Sequence, residues 1–276
     1  MLSNPIQTRL RQFVRSSTRL TILTGAGISA ESGIPTFRGP EGYWTVGSRE
    51  YHPQEMATYR MYADQPYEVW KWYLYRNGVC AAAEPNPGHL AVAALERAFP
   101  GRFTLITQNV DNLHLRAGNS LEHTYQIHGN IFYARCQAAC GYGVQPLPEG
   151  LTGKEKGEDL SEEEIASLAC PRCGSTLRPH VLWFDESYDE VHYRFQSSLK
   201  AAAETDLLII VGTSGATNLP QQVAWSAFQN GGTVIDINLE RNPFSELAEG
   251  SPGGAFIQGA SAAVLPELTE MLSIEK

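Results

Sequence analysis

Four of the five cysteines fall in two close pairs, Cys136-x-x-x-Cys140 and Cys170-x-x-Cys173, separated by a polar loop. Two such pairs form a tetrahedral cage of thiolates, and a cage with no open position holds zinc as a structural ion rather than as a catalyst. Gly141 and Gly174 directly follow the second cysteine of each pair, where the turn around a metal needs positive φ. A different chemistry begins at Gly25. The spacing Gly25-x-Gly27-x-x-Ala30 follows the apolar run Leu20–Thr24 and opens a helix, an arrangement that cradles a pyrophosphate. In that arrangement Gly25 permits the turn, Gly27 lets backbone N–H groups approach the phosphates, and small Ala30 allows close helix packing. The spacing alone is a weak signal, because glycine turns close many strands that hold no ligand. His128 ends a short strand and precedes Gly129, so its ring is placed to face a cleft; an imidazole titrating near neutrality suits a base that starts uncharged. Tyr73 and Arg76 stand three residues apart and share a helix face, where a phenol beside a planar guanidinium makes a receptor for a carboxylate.

The elements that must position these groups alternate between strand and helix. Apolar runs at Leu20–Thr24, Phe103–Thr107, Leu207–Gly212 and Thr233–Asn238 read as buried parallel strands, with shorter ones at Tyr125–Ile127 and Ala255–Ile257. Between them, Asn86-Pro87 opens a helix by cap and first-turn proline. Asp111 to Ala117 reads as a short helix ended by Gly118, and Val191 to Ala203 and Pro220 to Gln229 as two more. Ile6, Leu10, Phe13 and Val14 make a core-facing stripe before the first strand. This rhythm predicts an α/β fold with a doubly wound, Rossmann-like parallel sheet. Two stretches depart from it: 43–85 carries a cluster of tyrosines and tryptophans and reads as a helical module, and 129–178 holds the cysteine pairs as a zinc ribbon. The expected division is therefore a discontinuous dinucleotide-binding domain (1–42, 86–128 and 179–276) with 43–85 and 129–178 as the two modules of a smaller domain. Ser161 marks a short helix within the otherwise solvated acidic loop.

At 276 residues, 42% hydrophobic and 18% charged, the chain has the composition of a globular protein with a full core. No apolar run is long enough for a membrane span, and the net charge of −9 argues against a nucleic-acid partner. The arginines at 9, 11, 15 and 19 faintly suggest a targeting segment, but the apolar stripe among them is needed for packing, so a cytoplasmic location is expected. His52, His89, His114, His123, His180 and His192 are read as packing or surface groups.

After Gly33 the sequence Ile34-Pro35-Thr36-Phe37-Arg38-Gly39-Pro40 is neither helix nor strand, whereas a dehydrogenase would continue into a second strand. A dinucleotide cradle running into such a loop, with TQNVDNLH at 107–114, HGNIFYARC at 128–136, GTS at 212–214 and NLE at 238–240, resembles the sirtuin family of NAD-dependent protein deacylases, over nearly the whole chain from Leu20 to about Pro266. The resemblance implies NAD consumed as a co-substrate and one structural Zn2+ on Cys136, Cys140, Cys170 and Cys173. It carries NAD contacts onto Gly25, Ala26, Gly27, Ser29, Ala30 and Ile34, and onto Thr36, Phe37, Arg38, Tyr43 and Trp44 of the loop. It gives Gln108 and Asn109 the nicotinamide ribose, Asn109, Val110 and Asp111 the nicotinamide pocket, and Gly212, Thr213, Ser214, Asn238, Leu239, Glu240 and Ala260 the phosphate and adenosine side. His128 becomes the catalytic base, with Asn109 beside it.

The implied reaction releases nicotinamide and moves the acyl group of a modified lysine to the ribose, giving 2′-O-acyl-ADP-ribose. The segment His180-Val181-Leu182-Trp183-Phe184-Asp185-Glu186 resembles the family's substrate-pairing strand, which puts Val181, Trp183 and Phe184 against an acylated-lysine protein or peptide. Most of the family has glycine where this chain has Asp185. Tyr73-x-x-Arg76 resembles the branch that removes succinyl, malonyl or glutaryl groups, so succinyl and malonyl lysine are expected alongside acetyl lysine. The competing readings are a protein mono-ADP-ribosyltransferase, which cleaves NAD in the same way, and a non-catalytic NAD-sensing module.

Overall fold

The computed structural model describes residues 4–13, 18–35, 44–46, 49–151 and 153–273. In chain order it runs α1 (Asn4–Arg11), β1 (Leu20–Thr24), α2 (Gly27–Ala30), β2 (Trp44–Val46), β3 (Arg49–Tyr51), α3 (Pro53–Met56), α4 (Tyr59–Asp64), α5 (Pro66–Ala82) and α6 (Pro87–Ala98). Then follow β4 (Phe103–Thr107), α7 (Leu113–Arg116), β5 (Thr124–Gln126), β6 (Gly129–Cys136), β7 (Val144–Pro146), α8 (Glu162–Ser167) and β8 (Leu177–Val181). The last third holds α9 (Glu190–Tyr193), α10 (Phe195–Ala203), β9 (Leu207–Val211), α11 (Asn218–Gln229), β10 (Thr233–Asn238), α12 (Pro243–Gly250), β11 (Ala255–Gln258) and α13 (Ser261–Ser273).

Six strands form one parallel sheet in the order β11-β10-β9-β1-β4-β5. Read from β5, that is the 3-2-1-4-5-6 order of a dinucleotide-binding sheet, with its reversal between β1 and β9. Both faces are covered, which is why these strands are apolar throughout. Leu20 and Ile22 of β1 pack with α6 and α13 on one face, while Leu23 packs with α11 and α12 on the other. A third core lies apart from the sheet and joins the two modules: Trp70, Trp72 and Leu74 of α5 pack with Ile131, Cys136, Cys170 and Leu177. Two of its polar atoms are satisfied from the ribbon: Tyr62 Oη and Trp70 Nε1 both donate to the Leu177 carbonyl, at 2.8 and 2.9 Å.

Several expectations need correction. The region 43–85 is not purely helical: two antiparallel three-residue strands, β2 and β3, precede its helices. The helix expected over Val191–Ala203 is two helices, because Arg194 adopts φ +53 between α9 and α10. The helix expected from Asp111 shrinks to one turn: Asn112 has φ +66 and Asp111 Oδ1 accepts the Leu113 amide at 2.9 Å. α1 ends at Arg11, so Phe13 packs from beyond the helix; Val14 lies outside the described residues. Other caps stand as anticipated. Asn86 accepts from the Gly88 and His89 amides ahead of Pro87, and Ser161 caps α8. No helix among the described residues is long and apolar enough to cross a membrane.

Candidate active site and metal centre

Where the strand order reverses, the ends of β1 and β9 meet over glycine. The Gly25 amide donates to the Val211 carbonyl at 3.0 Å and the Gly27 amide to the Gly212 carbonyl at 2.8 Å. A Cβ at Gly25 would lie 2.6 Å from Thr213 Cβ, and one at Gly27 would lie 2.7 Å from Gly212 Cα. The two glycines are thus required first by the approach of one strand end to the other, not by a phosphate. Gly212 is not the end of the strand but the turn after it, at φ +59. Ala30, expected to pack closely, is exposed and lines the cavity instead.

That cavity has a volume of about 960 Å³, at the upper end of the roughly 300–1,000 Å³ of ligand pockets. Ala26, Gly27, Ser29, Ala30 and Ile34 line it from the β1 side, and Gln108, Asn109, Val110 and Asp111 from the end of β4. Gly212, Thr213, Ser214, Asn238, Leu239, Glu240 and Ala260 line the opposite end, and Tyr73, Arg76, His128, Val181, Trp183 and Phe184 the remaining walls. Gly25 sits beneath the surface. Thr36, Phe37, Arg38 and Tyr43 lie outside the described residues, and Trp44 is placed only as the first residue of β2.

The polar side chains of the β4 end are held by one another. Gln108 Nε2 donates to Thr213 Oγ1 at 2.9 Å, and Gln108 Oε1 accepts from Thr217 at 3.0 Å. Ser29 Oγ donates to Asp111 Oδ2 at 2.6 Å and accepts from Asn109 Nδ2 at 3.0 Å. His89 stands behind them with Nε2 at 3.3 Å from Ser29 Oγ. Its Nδ1 accepts the Asn86 amide, so Nε2 carries the proton and gives it to Ser29. Burial pushes the Asp111 carboxyl up, opposed by the Ser29 hydroxyl and Leu113 amide that hold it down. It pushes His89 down to about 4, so the ring is neutral at physiological pH.

His128 has one tautomer available. Its Nδ1 lies 3.0 Å from the Gln108 carbonyl, which only accepts, so Nδ1 is protonated and Nε2 is the basic atom. Nε2 in turn lies 2.8 Å from Tyr188 Oη. Burial pushes the ring down to about 4, against the Gln108 carbonyl that favours the cation, so the near-neutral titration expected from the sequence does not describe this site.

On the other side of the cavity Tyr73 and Arg76 share the α5 face as expected. Tyr73 is buried, and its hydroxyl accepts Trp183 Nε1–H at 2.9 Å, which leaves its own proton for donation into the cavity. The Arg76 guanidinium stands 5.4 Å from the centre of the Trp72 ring. The expected substrate strand is shorter than 180–186. β8 stops at Val181, and the chain turns through a Glu186 amide to Trp183 carbonyl bond at 3.0 Å. The Phe184 amide is tied to the Ala57 carbonyl at 3.0 Å, and Phe184 itself is 58% exposed at the cavity rim. Asp185, the departure from glycine, accepts the Tyr59 amide at 2.6 Å and the Arg60 amide at 3.1 Å, capping α4.

The cysteine pairs come together outside the lining of this cavity. All four sulfurs lie within 4.8 Å of one another, with Cys136–Cys173 and Cys140–Cys170 both at 3.6 Å. A tetrahedron with 2.3 Å zinc–sulfur bonds has edges of roughly 3.8 Å, so the thiolates fit zinc, while a disulfide at about 2.05 Å does not fit. Gly141 and Gly174 adopt φ +85 and +74. The extra residue in the first pair is absorbed by Ala139 at φ +48, whose amide reaches the Cys136 carbonyl. Sequence reasoning missed Tyr188 and Thr217 at the base, and His89 behind Ser29; Tyr188 lies 60 residues from its partner and no local pattern announces it.

The family pattern described as Sir2 family matches residues 25–218. Among curated relatives, the "NAD-dependent protein deacylase" of Leptospira interrogans is 41% identical over 91% of each chain. "NAD-dependent protein deacylase 2" of Pyrobaculum aerophilum is 41% identical over 92% of this chain and 91% of its own. The crystal structure of a Sir2 homologue–NAD complex matches with a TM-score of 0.78 at 32% identity, covering 96% of this chain and 93% of that one. A mutant Sir2 homologue bound to ADP-ribose matches with 0.79 at 30% identity over both whole chains. With a Rossmann sheet open at its reversal point, a zinc site of four cysteines and NAD as co-substrate, the chain belongs to the Sir2 family of NAD-dependent protein deacylases.

Proposed function

We propose that this deacylase removes succinyl and malonyl groups from lysine in preference to acetyl. The observation that carries the reading is the pair Tyr73 and Arg76 on one face of α5, a buried phenol and a guanidinium lining the same cavity as Trp183. A carboxylate-tipped acyl chain entering past Trp183 meets a charged fork and a hydroxyl donor; a charged hydrogen bond of this kind contributes roughly 1.5–3 kcal/mol. Acetyl lysine forgoes it.

NAD supplies the electrophile, the ribose carbon that nicotinamide leaves. The chain does the rest. Ser29, Asn109 and Asp111 form the polar wall for the carboxamide, and the strand ends at Gly212–Ser214 and Asn238–Glu240 hold the phosphates and adenosine. His128 is the base, its Nε2 gaining a proton as the ribose hydroxyl loses one, and the Gln108 carbonyl stabilises the imidazolium through Nδ1–H. Val181, Trp183 and Phe184 form the substrate side, where an acylated-lysine peptide or protein docks. On this reading the chain divides into a discontinuous NAD-binding domain and a smaller domain of helical module and zinc ribbon, and it works in the cytoplasm.

The deciding experiment offers the purified protein NAD with matched acetyl, malonyl, succinyl and unmodified lysine peptides, and weighs the products. Succinyl- and malonyl-ADP-ribose formed at higher kcat/KM than acetyl-ADP-ribose support the reading. Equal efficiencies sink the acyl preference, and ADP-ribose attached to protein points to transfer instead.

A further inference from the structure

His128 has a single basic atom, because its Nδ1 proton is committed to the Gln108 carbonyl. That atom does not face open space. Tyr188 Oη sits on it at 2.8 Å, and since neutral Nε2 has no proton, the phenol is the donor. The phenol has aromatic neighbours: its ring stacks with His128 (29°, centroids 5.9 Å apart) and with Phe195 (22°, 6.3 Å). Tyr188 also lines the cavity. A hydroxyl that gives its one proton to Nε2 has two lone pairs, and the neighbouring Thr217 hydroxyl engages at most one of them, so it can still accept another proton. Any sugar hydroxyl that bonds to Tyr188 Oη is therefore coupled to the base through two hydrogen bonds in series.

We propose that Tyr188 is a catalytic residue that relays the ribose proton to His128, in place of direct transfer to the imidazole. The inference rests on the deacylase reading above. As the ribose O–H bond breaks, its proton forms a new O–H bond on Tyr188. The original Tyr188 proton moves to Nε2, leaving a neutral phenol, an imidazolium and a ribose oxygen ready to capture the acyl carbon. No phenolate accumulates, in keeping with a phenol that burial pushes up to about 12.

Tyr188→Phe keeps the stacked ring and removes only the hydroxyl. The relay predicts a fall in deacylation kcat of about 100-fold or more, with NAD Kd by calorimetry within about two-fold. Nicotinamide exchange, which needs only the bond-breaking that precedes proton transfer, should stay within the same factor. Unchanged or faster deacylation would mean that the phenol merely covers the base, and overturns the relay. A parallel loss of exchange and deacylation would make Tyr188 structural and overturn it equally. The ligand-free wild-type protein gives a test that needs no variant: the 15N resonance of His128 must report protonated Nδ1 and a hydrogen-bonded acceptor at Nε2. A free-acceptor shift there ends the proposal. Wild-type protein that forms no acyl-ADP-ribose from any peptide fails the deacylase reading itself, a result separable from all of these.

Discussion

The two ends of the cavity are built in different ways. The end proposed for NAD is made from the carboxyl ends of parallel strands, where backbone meets backbone at Gly27 and Gly212 and short polar groups such as Ser29, Asn109, Gln108 and Thr213 bond to one another. The end proposed for the acyl chain is made from large side chains of the small core, Tyr73 and Trp183, joined by a hydrogen bond. Geometry at the first end is set by the sheet and affects every substrate alike. At the second end it is set by individual side chains, which can change the ranking of substrates without disturbing the dinucleotide.

The largest effect should come from the zinc. Cys136 and Cys170 belong to the same core as Trp70, Trp72 and Tyr73, so the ribbon and the acyl wall stand or fall together. Binding of structural zinc is worth on the order of 10 kcal/mol in small domains. Stripping the metal, or Cys170→Ser, is expected to abolish deacylation of every peptide and the near-ultraviolet signal of the module's aromatics, while far-ultraviolet signal from the parallel sheet persists. Loss of zinc with full activity would break the claim that one core serves both. Next in size is Gly27→Val, whose Cβ meets backbone that cannot yield. NAD affinity should fall by more than about ten-fold, with succinyl and acetyl rates falling in the same proportion. Arg76→Met probes the opposite end. It should lower kcat/KM for succinyl lysine about 10- to 100-fold and leave acetyl lysine within about three-fold; equal losses show that Arg76 does not read the acyl carboxylate.

A subtler effect is the response to acid. His128 with its pKa at about 4 remains a competent base below the ordinary histidine range, so the acid limb of kcat/KM should fall near pH 4 to 5 and not near 6.5. Stability falls with acid too, but begins to fall at higher pH. His89 at about 4 and His180 at about 3 are held neutral by burial, whereas the unfolded chain protonates them near 6.5. Between these limits the unfolded state binds more protons, so stability present above 6.5 declines as pH drops through the window, by a few kcal/mol in total. Denaturant midpoints from pH 7 to 4.5 check this; a flat profile would contradict neutral burial of these rings.

Much of this organisation was legible because it is repetitive or local. Strands buried on both faces are apolar runs, as at Leu207–Val211, and a metal cage needs its ligands in close pairs. Tyr73 and Arg76 were found because a helix converts a three-residue spacing into a shared face. What stayed hidden depends on distant chain. Asp185 meets amides 126 and 125 residues away, and no local cue distinguishes such a cap from a surface acid. The left-handed Arg194 that splits α9 from α10 has neither glycine nor asparagine to mark it. From the sequence Gly27 suggests phosphate approach, because nothing local to it reveals that Gly212 is its nearest neighbour.

Asp185 offers the smallest and sharpest comparison of the two ends, because it joins the turn after Phe184 to the start of α4 without lining the cavity. Asp185→Gly restores the residue common in the family and removes two charged hydrogen bonds to the amides of Tyr59 and Arg60. Thr58 still accepts the Met61 amide, so the helix keeps part of its cap. The expected cost is about 1 kcal/mol, the usual worth of a cap, seen as a drop of a few degrees in Tm. NAD affinity should not move, because no strand end is touched. Peptide KM should rise a few-fold for acetyl and succinyl lysine alike, since the turn carrying Phe184 loses both Asp185 bonds and keeps the Phe184 amide to Ala57 and Trp183 to Tyr73 bonds, while Tyr73 and Arg76 stay on α5. A change in the succinyl-to-acetyl ratio in this variant would mean that acyl choice is made by the position of the turn and not by the two side chains on α5.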